Sequence, residues 1–140
     1  MSKKINLGCG NDVKSGWVNV DMVWGKGITV FDLNQYWKLP DSCADEVLVS
    51  HIYEHINDAV FFLKELIRIC KPDAKVVFKV PSFRNVTAWA DPTHKRAVSI
   101  TFFTYYVKRY GFTLIKHNHN FLKDLLGFQK EYVVELRATK

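Results

Sequence analysis

Ile5-Asn6-Leu7-Gly8-Cys9-Gly10 is the stretch on which the reading of the fold depends. A short apolar run ends abruptly in a glycine-bracketed turn, as a first buried strand does. Glycine lets the backbone turn tightly and admits a ligand where a Cβ would stand in the way. In an open α/β sheet, ligands bind outside the carboxyl ends of the strands. Gly-x-Gly alone fits a plain β-turn equally well, so the stretch takes its meaning from the residues downstream of it.

Trp17-Val18-Asn19-Val20-Asp21 alternates and closes on an acid, and Ile28-Thr29-Val30-Phe31-Asp32 repeats the pattern. Two consecutive strands ending in carboxylates are hard to explain by packing. Glu46-Val47-Leu48-Val49-Ser50 reads as a fourth strand, running into His51-Ile52-Tyr53-Glu54-His55. Asn57 or Asp58 then caps a helix with an apolar stripe of Val60, Leu63, Leu66, Ile67 and Cys70. Lys71-Pro72-Asp73 ends it, because proline cannot continue a helix. Lys75 to Val80 is a fifth strand, and Ser82 to Arg96 is irregular and polar. A helical pattern from Ser99 to Tyr110 stops at Gly111. Phe112 to Lys116 and Glu131 to Arg137 read as two final strands, with a loop or short helix between them. Strands alternating with helices predict a mainly parallel α/β sheet of seven strands, and the closing pair predicts an antiparallel finish.

The 140 residues predict a single domain, residues 1–140, with an apolar fraction of 48% and a charged fraction of 24% typical of soluble globular proteins. No apolar run approaches the ~20 residues of a membrane span. Met1-Ser2-Lys3-Lys4 leads directly into the first strand, which predicts no signal peptide. Three scattered cysteines, Cys9, Cys43 and Cys70, predict reduced thiols and a cytoplasmic location. The formal charge of +6 favours anionic partners without separating nucleic acid from a phosphorylated small molecule.

With these pieces in order, the chain resembles the class I S-adenosylmethionine-dependent methyltransferases, specifically the small type 11-like group. The matching stretches are Ile5 to Gly10, Gly16 to Asp21, Phe31-Asp32-Leu33, Leu39-Pro40-Asp41, Ala44 to Val47, Ser50 to His55, Leu66 to Pro72 and Asp91 to Arg96. The ordered set, not any one motif, carries the resemblance. It implies a Rossmann-like fold and S-adenosylmethionine as cofactor, held by Gly8, Gly10, Asp21, Asp32 and Leu33. Asp21 would accept the ribose hydroxyls and Asp32 the adenine amino group, while Ser50 and His51 would border the sulfonium. Asn6 stands where the family often carries an acid.

The implied reaction moves a methyl group to an oxygen or nitrogen of a small-molecule or glycan acceptor. It needs alignment above all, and a general base only if the acceptor is protonated. His94 is the first candidate for that base and His51 the second, with Lys95 and Arg96 holding an anionic group of the acceptor. Two other readings stay open: a non-catalytic methyltransferase-like subunit that binds a partner, and an RNA methyltransferase resting on charge alone. His51-x-x-Glu54-His55 also spells an inverted zinc-peptidase motif. It begins at a strand tip instead of within a helix, so no metal is assigned. His117 and His119 read as a solvated hairpin edge.

The connections from Gly10 to Trp17 and from Asp21 to Ile28 are too short for a helix, though parallel neighbours usually take a crossover of roughly a dozen residues. The fold is therefore expected in a minimal version, with helices depleted on one face. The bare face is expected to be apolar, near Ile5, Leu7, Val18, Val20 and Val30, roofed incompletely by Trp17, Trp24, Tyr36 and Trp37. A large bare apolar patch usually marks an interface, which predicts a homodimer or a docked partner.

Overall fold

Seven strands form one sheet in the computed structural model, which describes residues 1–140. In chain order they are β1 (Lys4–Leu7), β2 (Val18–Asp21), β3 (Ile28–Val30), β4 (Ala44–Ser50), β5 (Cys70–Pro81), β6 (Phe112–His117) and β7 (Glu131–Ala138). Their spatial order is β3-β2-β1-β4-β5-β7-β6. The first five run parallel, and β7 pairs antiparallel with both β5 and β6. This is the mainly parallel α/β sheet with an antiparallel last strand that the sequence predicts. No helix is long and apolar enough to cross a membrane.

The helices are few: α1 (Ala59–Ile69), α2 (Thr87–Ala90) and α3 (Phe121–Leu125). The Asp58 carboxylate caps α1 by accepting the Phe61 N–H at 2.9 Å. The buried stripe of α1 is Phe62, Leu63, Leu66 and Ile69, while Val60 is exposed. The expected stripe is thus rotated slightly from the true one. Residues Ser99 to Tyr110 do not form a regular helix. A wide i→i+5 turn over Phe102–Tyr106 passes into a tight 3₁₀ turn over Val107–Tyr110, which Gly111 closes at φ +84°. The run Phe102-Phe103-Thr104-Tyr105-Tyr106-Val107 is aromatic and β-branched, residue types that lose side-chain freedom in an α-helix.

Strand alternation puts Ile5, Leu7, Val20, Val47, Val49, Val76, Phe78, Val134 and Leu136 in register on one face. All are fully buried, together with Phe62, Leu63, Leu66, Trp37, Phe103 and Val107. Fully burying an aliphatic or aromatic side chain contributes about 1.5–3 kcal/mol, so this layer supplies most of the driving force for folding.

The other face corrects an expectation. Ile5, Leu7 and Val20, expected on a bare apolar face, lie on the covered one; Val18 is half-buried, and only Val30 at the sheet edge is exposed. The face without a helical layer is polar. Glu46 pairs with Lys4 at 3.0 Å and Lys75 at 3.2 Å, and Glu135 pairs with Lys116 at 3.3 Å. These half-buried carboxylates and their more exposed lysines make the face compatible with water. Where a helix would stand beside β1 and β2, residues 8–17 fold back and are lashed down by two buried asparagines. Asn6 Nδ2 donates to the Asp12 carbonyl at 2.8 Å and to Asn19 Oδ1 at 3.1 Å. Asn19 Oδ1 also accepts the Lys14 N–H, while its Nδ2 donates to the Lys14 and Trp17 carbonyls. The physical ground for a dimer through a bare apolar sheet face is therefore absent.

One buried ion pair fastens the loop after β3 to α1. Glu65 accepts the Trp37 N–H at 2.9 Å and two guanidinium bonds from Arg68 at 2.8 Å each. Arg68 also donates to the Leu39 and Trp37 carbonyls and to Asp41. Burial works to raise the Glu65 pKa, but the Arg68 and Trp37 hydrogen bonds outweigh it and hold the carboxyl below its ordinary value. Glu65→Ala should cost about 3–5 kcal/mol in denaturant unfolding, as breaking a buried pair does. In the native protein this contribution is full above the unfolded glutamate pKa of about 4.3 and is lost as pH falls through the lower folded value. A Glu65→Ala protein of wild-type stability at neutral pH would show that the pair does not hold the loop.

Candidate functional site

The carboxyl ends of β1, β2 and β4 meet at one edge of the sheet. Cys9 N–H still donates to the Val20 carbonyl at 2.9 Å, so the glycine turn begins as a continuation of β1 pairing. Gly8 and Gly10 have φ of +62° and +49°, the left-handed region that favours glycine. Their surroundings differ. A Cβ at Gly8 would lie 2.5 Å from Cγ1 of Ile52, whereas nothing lies within 4 Å of one at Gly10. Gly8 is thus required by a side chain from beyond β4, and the open part of the turn is at Gly10.

Asp21, at the tip of β2, ties the neighbouring loops together. Its Oδ2 accepts the Gly10 N–H at 2.9 Å and its Oδ1 the Val23 N–H at 3.0 Å. Each carboxylate oxygen keeps a further lone pair. Asp32 accepts the Asn34 N–H and side-chain amide at Oδ1, which leaves Oδ2 for an outside donor. Asp21, Asp32, Leu33, Gly8, Ile52 and His55 are among the walls of a cavity of about 140 Å³. Asp21 and Gly10 also line a second cavity, of about 430 Å³, beside Trp24 and Lys26. Asn6, at the position where an acid is common in the resemblance, is buried and spent on the loop of residues 8–17.

A larger cavity, of about 700 Å³, opens beyond β4. Its lining includes His51, Glu54, His55, Asp91, His94 and Glu131. His55 is therefore a wall shared with the 140 Å³ cavity. The tight turn Tyr53–His55 that carries it is held from outside. Arg96 donates to the Tyr53 and Asn57 carbonyls at 2.8 and 3.2 Å, and the Lys95 N–H donates to the Glu54 carbonyl at 2.7 Å.

These contacts change the expected roles of several residues. Arg96 is a brace spent on backbone carbonyls, and Lys95 contributes its backbone while its side chain is exposed; neither lines the large cavity. Ser50 lines none of the three cavities. His51, at φ +51°, places Nε2 2.8 Å from Glu131 and Nδ1 3.5 Å from Glu54. The Glu54 carboxylate, aided by Glu131 and opposed by partial burial, raises the His51 pKa above the usual histidine range. Both ring nitrogens of His51, the second candidate for the base, thus face carboxylates. His94 stays in the cavity, with Nδ1 3.0 Å from the Ala88 carbonyl. Sequence reasoning misses Glu54 and His55 as functional groups. Their one signal is the His51-x-x-Glu54-His55 spelling, which a strand tip, unlike a helix, does not support.

Comparison with known proteins bears on the family and the fold. The type 11 family described as methyltransferase domain matches residues 9–78. An Archaeoglobus fulgidus S-adenosylmethionine-dependent methyltransferase superposes with a TM-score of 0.76 at 17% identity, over 97% of this chain and 86% of that one. A Mesorhizobium loti S-adenosylmethionine-dependent methyltransferase gives a TM-score of 0.72 at 14% identity, over 96% and 90%. The [4+2]-cyclase SpnF gives 0.74 at 10% identity, over 98% and 74%, so the fold by itself does not fix the reaction. No curated protein sequence matches the chain.

The glycine turn makes a direct test. Gly8→Ala adds both a left-handed penalty and a collision with Ile52, and should lower stability by about 2–4 kcal/mol in thermal or denaturant unfolding. Gly10→Ala meets open space and should cost only the conformational part, about 1 kcal/mol. Equal costs at the two positions would mean that Ile52 yields freely and does not define the turn.

Proposed function

The chain belongs to the type 11 methyltransferase domain family, and on that premise we propose that it methylates a hydroxyl oxygen or an amine nitrogen of a small-molecule or glycan acceptor. The cofactor is S-adenosylmethionine, which supplies an electrophilic methyl group on a sulfonium. The observation that carries the reading is the shared wall at His55. A pocket with the Asp21 and Asp32 carboxylates meets a larger polar cavity at the end of β4.

The residues present fit that cofactor. Asp21 would take the ribose hydroxyls on its remaining lone pairs, without giving up the Gly10 and Val23 N–H groups that position it. Asp32 Oδ2 and the Leu33 backbone would take the adenine edge. Gly10, with open space beside it, would admit the methionine half.

On the acceptor side the chain supplies placement and a proton acceptor. The cavity holds Glu54, Asp91 and Glu131 together with Lys130, so its walls carry no surplus of positive charge. That favours a neutral, hydroxyl-bearing acceptor over the anionic one expected from net charge. His94 donates Nδ1–H to the Ala88 carbonyl, so in the neutral ring the lone pair is on Nε2, 3.7 Å from Asp91 Oδ2. It can accept a proton from an acceptor held there. Free thiols at Cys9, Cys43 and Cys70 accord with a reducing compartment.

A second reading, a partner-binding subunit, has its own observation. Phe121, Leu122, Leu125, Leu126 and Phe128 on and after α3 are exposed, as are Val86 just before α2 and Trp89 within it. Binding of the cofactor without turnover on any acceptor would favour it.

The proposed function is tested by calorimetric titration of the wild type and Asp21→Ala with S-adenosylmethionine and its demethylated product. Asp21→Ala should weaken binding by about 1.5–3 kcal/mol, the range for hydrogen bonds to a charged group. Unchanged affinity in a folded variant would take Asp21 out of the site, and no binding by the wild type would overturn the reading.

A further inference from the structure

Glu54 is the chain's one buried polar side chain with an atom left unpartnered. It is 2% exposed, and its Oε2 has no hydrogen-bond partner. A buried carboxylate oxygen without a donor costs free energy unless something compensates it. Beside it stand His55 and His94, with ring centroids 4.7 Å apart and planes at 74°. One donor atom from each of Glu54, His55 and His94 lies within 4.8 Å of the others.

The surrounding hydrogen bonds set both imidazoles in the same tautomer. His94 Nδ1 faces the Ala88 carbonyl at 3.0 Å, an acceptor only, so this nitrogen carries the proton. Thr93 Oγ1 donates to Asp91 Oδ1 at 2.6 Å and so has no proton for His55 Nδ1, 3.0 Å away. His55 Nδ1 must therefore donate to Thr93. In the neutral imidazoles the lone pair is then on Nε2 of each ring, with Asp91 Oδ2 3.7 Å from that of His94. Imidazoles that ligate metals are oriented in this way, with the second nitrogen donating to a carbonyl or, through a relay, to a carboxylate.

We infer that Glu54, His55 and His94 form a site for a divalent transition-metal ion, opening onto the large cavity. Two imidazoles and one carboxylate suit Zn²⁺, Co²⁺, Mn²⁺ or Fe²⁺ better than the all-oxygen sets of Ca²⁺ or Mg²⁺. Ligands at about 2.0–2.1 Å from one tetrahedral ion lie roughly 3.4 Å apart, so closing the site takes side-chain shifts of about 1 Å. The Tyr53–His55 turn, braced by Arg96 and Lys95, and the Asp91–His94 turn hold the three residues from opposite sides. Three protein ligands leave coordination positions open to the cavity. There the ion would take an oxygen of the acceptor, a role that rests on the methyltransferase reading; ion binding itself does not. His94 would then be a ligand instead of the base, and the proton of the acceptor hydroxyl, made more acidic by the ion, would pass to water in the open cavity.

The test uses the full, untagged chain stripped with a chelator and titrated with Zn²⁺ by calorimetry and with Co²⁺ by visible absorption. The wild type should bind one equivalent. His94→Ala and the isosteric Glu54→Gln should each weaken binding by at least about 10-fold, the loss that even outer partners cause, and Thr93→Val should weaken it less. A His117→Ala, His119→Ala double variant should bind like the wild type. No binding by the wild type, or wild-type affinity in folded His94→Ala and Glu54→Gln, would overturn the site, as would loss confined to the His117/His119 variant. Titration of the same samples with S-adenosylmethionine reports the cofactor pocket separately, so failure of one assignment is distinguishable from failure of the other.

Discussion

The sheet buries one apolar face, and the rest of the architecture depends on that asymmetry. Ile5, Leu7, Val20, Val47, Val49, Val76 and Phe78 all point to the same side, and α1 with the turns around Phe103 and Val107 covers them. The opposite side carries Lys4, Glu46, Lys75, Glu135, Lys116 and Arg137. A face laced with charge needs no helical cover. Parallel strands can then be joined by residues 8–17 and 22–27 without a helix, provided the loops find their own hydrogen bonds. Asn6 and Asn19 supply them for the first loop.

Short connections have a functional consequence at the carboxyl edge. Because β2 and β3 follow each other closely, Asp21 and Asp32 stand near the glycine turn with little chain in between. Asp21 bonds the N–H groups of Gly10 and Val23, so the carboxylate that faces two cavities is also the tie between their loops. On the far side of β4, the turn at Tyr53–His55 does similar duty. It carries Glu54 and His55 into the large cavity and is itself clasped by Arg96 and Lys95.

Much of this is legible in the sequence, for physical reasons that can be named. Gly8, Asp21 and Asp32 mark strand ends, and Asp58 and an apolar period mark the helix; all are local signals. The topology follows from alternation of strands and helices. What the sequence hides is which way side chains face. The period-2 pattern in β1 and β2 shows two unlike faces but not which one the helices cover, so Ile5 and Leu7 fall on the wrong side in a reading from sequence. Arg96 looks like a substrate ligand because a guanidinium after β5 suits an anion, but two backbone carbonyls take it first. Glu54 and His55 are discounted because their motif belongs to helices in another family. Only the meeting of the 53–55 and 91–94 turns, far apart in sequence, shows what they share.

The central claim is that the glycine turn and the two strand-tip carboxylates form one cofactor pocket, next to a separate acceptor cavity. Mapping of backbone amide resonances on addition of S-adenosylmethionine tests it most directly. The account predicts the largest shifts at Gly8, Gly10, Asp21, Met22, Asp32, Leu33 and Ile52, with smaller ones at His55 on the shared wall. Shifts confined to the exposed apolar surface around Phe121 to Phe128, or none at all, would contradict it.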